Sequence, residues 1–538
     1  MSNQRKITFL VAATLAVFSC VRNAQAVHMY DSGTVNNTYL FIENNVDNEY
    51  FITPSATDPR FTGANVWTKY KTNQDSLGYM GYAGWARNNS YIDMWIEDSP
   101  INMPFNGIRC RIANGQKCPS TGYVAAAASD NNGFYHTRSG TSTYDGSYAF
   151  ASLSPTAYEY FKNQSAGNKD NFILNFCFND KDYDYGAGER CNTLSTGYWY
   201  KLKFNVTKIG HLKLRSTGAL AEVWTASDGT PSVTIGTDTC QTGVVAGKNG
   251  LICKMVSYSL EETTRLNALN FKLIVDKTKL GFTPAYNEIK YSGDAVKWTN
   301  YNTSTDYYNV FNTSGDYVYL FFQDTFFKKL VNAGKSITAN DDIFTFNFQN
   351  AAVPESGYYQ FTTSTTLNII PKEYGISIIS SDQMANPKRT GKIGSEQPIA
   401  FDYQITTSAP RQADSITVQV VGNSAKVNGR PYCVFTSADN TLKVPIPAYI
   451  SFTTTEGATV TKRNSCSEAP VDITKASWVQ TAWNANIDDS FYYKTNLKLL
   501  FPMDDGRSHF TVSGQEWMGT VSASGEIKAT ATWVGVGR

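Results

Sequence analysis

Short runs in which apolar and polar residues alternate, each cut off by a cluster of Gly, Asn, Asp or Ser, recur along the whole chain: "YLFIENN", "YIDMWIED", "FILNFCFND", "WYKLKFNVTK", "DIFTFNFQN", "SITVQVVG" and "NLKLLFPMD". Alternation puts one row of side chains on each face of a strand, and runs this short need lateral partners to bury the apolar row. The pattern predicts an all-β, mostly antiparallel protein of sandwich type with few helices. At 538 residues the chain is too long for one core and divides into about three domains. Aromatic residues reach 14%, with 33 tyrosines, a bias that strands favour and that saccharide-binding surfaces share. Formal charge is only +1, so no basic surplus points to nucleic acid.

The amino terminus reads as a secretory signal over residues 1–26: Arg5 and Lys6, the apolar run "ITFLVAATLAVF", then Ala24-Gln25-Ala26 as a small-residue cleavage site. Eight cysteines follow it, an even number that fits an oxidising compartment. Their spacing predicts sequential pairs: Cys110 with Cys118, Cys177 with Cys191, Cys240 with Cys253, and Cys433 with Cys466. A zinc site is disfavoured, because the chain has no CxxC pair and only four histidines, His28, His136, His211 and His509.

Two segments read as helices. "SPTAYEYFKNQSAG" has Ser154 as cap, Pro155 at the first helical position and Gly167 as stop, and "TFFKKLVNAGKS" is the second. They expose a repeat. Tyr160 to Asn179 and Phe326 to Asn350 each run Phe-Lys, Ala-Gly, aspartate, aromatic strand, and each later reaches a Gly-aromatic-aromatic start to a final strand. The expected domains are therefore 27–208, a related one at 209–372, and a third at 373–538, with Pro371 breaking a strand at the last boundary.

Chemical motifs are sparse. Asp180, Asp182, Asp184, Gly186 and Glu189 approach a calcium loop, but Tyr185 holds the sixth place where an EF-hand needs glycine and Glu189 the tenth rather than the twelfth. The segment reads instead as a solvated loop closed by Cys177 and Cys191. No HExxH, G-x-S-x-G or phosphate-binding loop is present, and no cofactor is implied. For a receptor, "SLGYMGYAGWARNNSY" offers Tyr79, Tyr82, Trp85 and Arg87, with glycines 78, 81 and 84 expected to interrupt any strand. Arg109 and Arg111 form a second candidate patch, and packing or solvation is the competing account for both.

Near the carboxyl terminus Ile527, Ala529, Ala531 and Trp533 alternate with polar residues. This strand either closes a complete sandwich or leaves an apolar edge for something else to cover. "DPRFTGANVWT", "IDMWIEDSP", "GLICKMVSYSL", "PESGYYQFTTSTTLNIIPKEYGISIIS", "YCVFTSADNTLKVPIPA" and "SASGEIKATATW" together resemble the tip adhesins of the enterobacterial common pilus, in the alternate class of chaperone-usher fimbriae. The resemblance spans essentially the whole mature chain. It implies three immunoglobulin-like sandwiches in tandem and an extracellular fimbrial location reached through the periplasm. It also implies a periplasmic chaperone, an outer-membrane usher, and a major pilin that donates a strand into a groove at Ile527, Ala529, Ala531 and Trp533. The implied receptor is a host-surface glycan. "VHMYDSGTVNNT" offers little to donate onward, which fits the end of a fibre. The rival readings are a secreted enzyme acting on polysaccharide and a fimbrial cap without a receptor.

Overall fold

A computed structural model describes residues 26–44, 50–52, 61–64, 68–70, 74–76, 79–109, 123–141, 148–264, 269–302, 308–338, 342–348, 360–483 and 490–536. The chain is all-β with a few short helices, and its Cα positions divide it into two compact units. The first comprises residues 1–214, 259–271 and 347–360; the second comprises 215–258, 272–346 and 361–538. The predicted signal segment lies outside the described residues, apart from Ala26.

In the first unit the longer elements are β1 (Met29–Asn44), β2 (Tyr79–Ala86), β3 (Tyr91–Ile96), β4 (Phe105–Arg109), β5 (Gly133–Arg138), β6 (Tyr148–Leu153), α1 (Pro155–Asn163), β7 (Lys169–Asn179) and β8 (Tyr198–Arg215). One sheet runs β5–β3–β7–β8–β1, antiparallel until the last pairing, where β1 joins β8 in parallel from Met29 opposite Trp199 to Asn44 opposite Leu214. The other places β6 between β2 and β4. Alternation does the packing: Ile92, Met94 and Ile96 of β3 and Phe172, Leu174 and Phe176 of β7 turn inward, onto Met80, Ile108 and Ala151 of the facing sheet. Ser154 caps α1 as expected, its Oγ accepting from Ala157 N at 3.1 Å, with Pro155 in the first turn. The helix stops at Asn163, short of Gly167, because a buried lysine meets its end. Lys208 donates from Nζ to Lys162 O (2.8 Å) and Gln164 O (2.6 Å). Those are carbonyls a helix terminus leaves without partners.

The second unit opens with β9 (Leu220–Thr225), β10 (Pro231–Ile235), β11 (Cys240–Val245), β12 (Lys248–Glu262), α2 (Lys277–Leu280), β13 (Ile289–Ser292), β14 (Tyr317–Gln323), α3 (Asp324–Asn332) and β15 (Thr366–Pro371). β11 and β12 form a hairpin whose two turn residues, Ala246 and Gly247, both have positive φ, so the turn's twist suits the strands. β9 sits between β10 and β15, again with one parallel pairing. As in α1 and β7, α3 is followed by an aromatic strand, Phe344–Phe348.

The rest of this unit includes β16 (Gly375–Ser380), β17 (Ile399–Ala409), β18 (Ser415–Gly422), β19 (Arg430–Thr436), β20 (Lys443–Ile446), β21 (Tyr449–Thr453), β22 (Thr459–Arg463), β23 (Val479–Ala482), β24 (Phe491–Phe501) and β25 (Gly525–Thr532). β16–β17–β24–β21–β22 form one antiparallel sheet, with β23 also pairing to β24. The second sheet sets β18 between β25 and the short strand Val471–Asp472. Ile405, Leu497 and Leu499 from the first meet Ile416, Val418 and Val420 from the second. Between β15 and β16 the chain passes close to Trp224, and a Cβ on Gly375 would lie 2.7 Å from Trp224 Cζ3, so only glycine fits.

Candidate functional site

The last strand keeps its apolar row on the core side without covering it. Across the β18–β25 ladder, Ile416 faces Ala531, Val418 faces Ala529 and Val420 faces Ile527. The three β18 side chains are buried, whereas Ile527, Ala529, Ala531 and Trp533 touch the same core yet stay half-buried. Among the described residues β25 pairs on one side only. The edge strand of the opposite sheet, β16, runs beside β25 without a ladder to it, and its core-facing Ile376 and Ile378 are half-buried as well. Two edges thus flank an apolar seam, closed at one end by the Tyr374 ring at 5.6 Å from Trp533. Beyond the strand, Trp533 Nε1 donates to Arg411 O (3.0 Å) and Val534 N to Asp414 Oδ2 (2.6 Å). The Arg411 guanidinium, 2.9 Å from Asp414, holds that carboxyl below its usual range. Such a seam offers one strand's worth of free N–H and C=O groups and a row of apolar sites at two-residue spacing.

The residues singled out for receptor contact are less coherent. Tyr79, Tyr82 and Trp85 lie on β2, so the glycines do not interrupt the strand as expected; a register shift between the Phe150–Gly81 and Tyr148–Ala86 pairs absorbs the extra residues instead. Their side chains, and those of Arg109 and Arg111, are outside the described residues; the Arg109 backbone ends β4 opposite Tyr123. Arg87 is half-buried with its guanidinium 4.2 Å over the Phe178 ring. Disulfides join Cys177 to Cys191, Cys240 to Cys253 and Cys433 to Cys466, with Cα separations of 5.8, 4.2 and 5.1 Å. Cys110 and Cys118 lie outside the described residues.

The acidic loop after β7 is a folded cover over part of the sheet and is not simply solvated. Tyr183 is buried and donates its hydroxyl to Asp93, a fully buried carboxylate that also accepts from His136 N and Cys191 N, each at 2.8 Å. Burial pushes the Asp93 carboxyl above its ordinary range, and these three donors pull it part of the way back. Asp182 receives His136 Nε2 at 2.6 Å and the Tyr91 hydroxyl at 3.1 Å, while Asp184 accepts from Ala187 N. The carboxylates are committed to protein donors. "YIDMWI" gives no sign that its aspartate is interior, because the covering loop is 90 residues away in sequence.

Models of three consecutive domains of one protein family match this chain. The model for the E. coli common pilus adhesin EcpD N-terminal domain matches residues 26–212, that for its middle domain 216–366, and that for the EcpD C-terminal domain 373–531. The fimbria adhesin EcpD of Escherichia coli O157:H7 is 38% identical over 511 residues, covering 92% of each chain, and that of strain K12 gives the same figures. Among solved structures, the adhesin CfaE of enterotoxigenic E. coli CFA/I aligns with 60% of this chain and 95% of its own at 8% identity and a TM-score of 0.20, too distant to carry an argument. With three consecutive domain models matched and 92% of its relatives' length covered, this chain belongs to the EcpD family of common pilus adhesins.

Proposed function

We propose that this fimbrial adhesin sits at the end of an extracellular bacterial pilus, binds a host-surface glycan non-covalently, and is mounted by accepting a strand from the major pilin subunit. A periplasmic chaperone holds the sandwich of residues 373–538 before an outer-membrane usher passes the chain into the fibre. The observation that carries the mounting step is the half-buried row Ile527, Ala529 and Ala531 lying directly across from the buried row of β18, with Trp533 continuing it just past the strand. An exposed apolar edge of this kind invites pairing with another chain. A donated strand would supply main-chain hydrogen bonds to β25 and side chains to fill the seam between β25 and β16.

Placement at the fibre end is supported by β1. Its residues from Met29 onward are spent in the parallel ladder with β8, and Val27 is buried, so this segment is not free to complete a neighbour. A peptide copying the major pilin's amino-terminal extension should raise the melting temperature of the mature chain and prevent its aggregation. Unchanged melting at saturating peptide contradicts the strand-accepting role.

A further inference from the structure

The outer face of the first unit's sheet carries a group of side chains that the mounting role does not use. On β3, β7 and β8 the residues opposite the core are Trp95, Asn175, Trp199 and Lys201, with Glu97 just past the end of β3. The rings of Trp95 and Trp199 lie 6.0 Å apart with planes inclined by 36°, and both are half-buried. Their positions are fixed from below. Both pack against the Cys177–Cys191 disulfide, and Trp199 Nε1 donates to Asn175 Oδ1 at 2.8 Å. On the adjoining strand Gly133 leaves the space that Trp95 needs, because a Cβ there would come within 2.6 Å of the Trp95 Cβ. Beside the rings runs a polar chain: Asn175 Nδ2 donates to Glu97 at 3.1 Å, and Lys201 Nζ approaches the Glu97 carboxylate at 2.8 Å, each of these two side chains 34% exposed.

We infer that this face is a saccharide subsite, one that seats the C–H face of a neutral sugar ring on Trp95 and Trp199 and its hydroxyls on Glu97 and Lys201. This rests on the reading of the protein as a glycan-binding adhesin. Flat apolar surface beside a few fixed polar groups is the general make-up of a small-molecule site. Fixed rings lose little side-chain freedom on binding. The choice of a neutral ligand follows from charge: Glu97 and Lys201 compensate each other, so the rim offers an acceptor and a donor without a net field. A hydroxyl, which both donates and accepts, matches that pair better than a phosphate or a carboxylate does.

The test uses the mature full-length chain on an array of neutral and acidic oligosaccharides, with Lys201→Ala, Glu97→Gln and Trp199→Ala compared against wild type. The first two remove partly exposed groups, and circular dichroism and thermal melting check that all three fold. The expected result is retention of neutral saccharides by wild type, weakened about tenfold in Lys201→Ala and Glu97→Gln, the loss of one hydrogen bond to a charged group. Trp199→Ala should abolish it. Equal retention by wild type and by both polar variants overturns the subsite while leaving the adhesin reading intact. Retention confined to acidic saccharides overturns it also, and so does no retention by wild type, in which case attachment of the same protein to host cells decides separately whether it is an adhesin.

Discussion

Ala529 stands directly opposite Val418 in the β18–β25 ladder, and the two differ in burial: Val418 exposes nothing, whereas Ala529 is half-buried although it faces the same core. Neighbouring residues on one face of one sheet differ in this way when the next strand is missing on one side only. A charge placed at Ala529 should therefore be tolerated by the isolated chain and not by the assembled fibre. Ala529→Asp is expected to melt within a few degrees of wild type yet bind the donor-strand peptide at least tenfold more weakly, since burying an unpaired carboxylate costs several kcal/mol. Peptide titration followed by fluorescence checks this, and equal affinities contradict it.

The acidic cover of the first unit depends on Asp93. Alanine there leaves the N–H groups of His136 and Cys191 and the Tyr183 hydroxyl without their acceptor. Asp93→Ala should destabilise the first unit by about 2–5 kcal/mol, the cost of stranding several buried donors. Denaturant unfolding of wild type and variant measures it.

Lys208 makes the first unit's stability depend on pH in the alkaline range. Burial is the main cause that brings its ammonium from the ordinary 10.5 down to about 8. Between those values the unfolded chain holds a proton that the folded chain has released. Stability therefore rises with pH across that window, and the cost of the buried charge is fully present below pH about 8. The melting temperature of wild type minus that of Lys208→Met should increase from pH 7 to pH 10, by several degrees on the usual scaling of roughly 2–4 °C per kcal/mol for a domain of this size. A constant difference contradicts the assignment.

Glu222 joins the segments on either side of Pro371. Its buried carboxylate accepts from Trp224 Nε1 at 2.7 Å, Thr234 Oγ1 at 2.8 Å and Ser377 Oγ, and the Tyr492 ring packs edge-on to Trp224 at 5.4 Å. Glu222→Ala should accelerate proteolytic cleavage near residues 371–375 and lower stability by about 2–4 kcal/mol. Mass spectrometry of a limited digest reports the cleavage site.

Much of this architecture can be read from local sequence. Strand existence follows from alternation, the start of α1 from Ser154-Pro155, and the apolar row of β25 from Ile527 to Trp533. What cannot be read depends on partners distant in the chain. The parallel pairing of β1 with β8 joins residues about 170 positions apart and has no local signature. Asp93 looks like an outward-facing residue of an alternating strand until the loop carrying Tyr183 folds over it. The glycines of β2 read as breakers because a register shift can be recognised only once β6 is known to lie alongside. Trp95 and Trp199, 104 residues apart, become neighbours only through β7, which lies between their strands.

Hydrogen exchange at residues 525–532 of the mature chain, with and without the donor-strand peptide, tests the open edge most directly. Amides of β25 that point toward β18 should be protected in both states, and those on the opposite edge should exchange rapidly until the peptide is added and slow by orders of magnitude afterwards. Uniform protection along both edges without peptide would mean that the sandwich is already closed, contradicting the account.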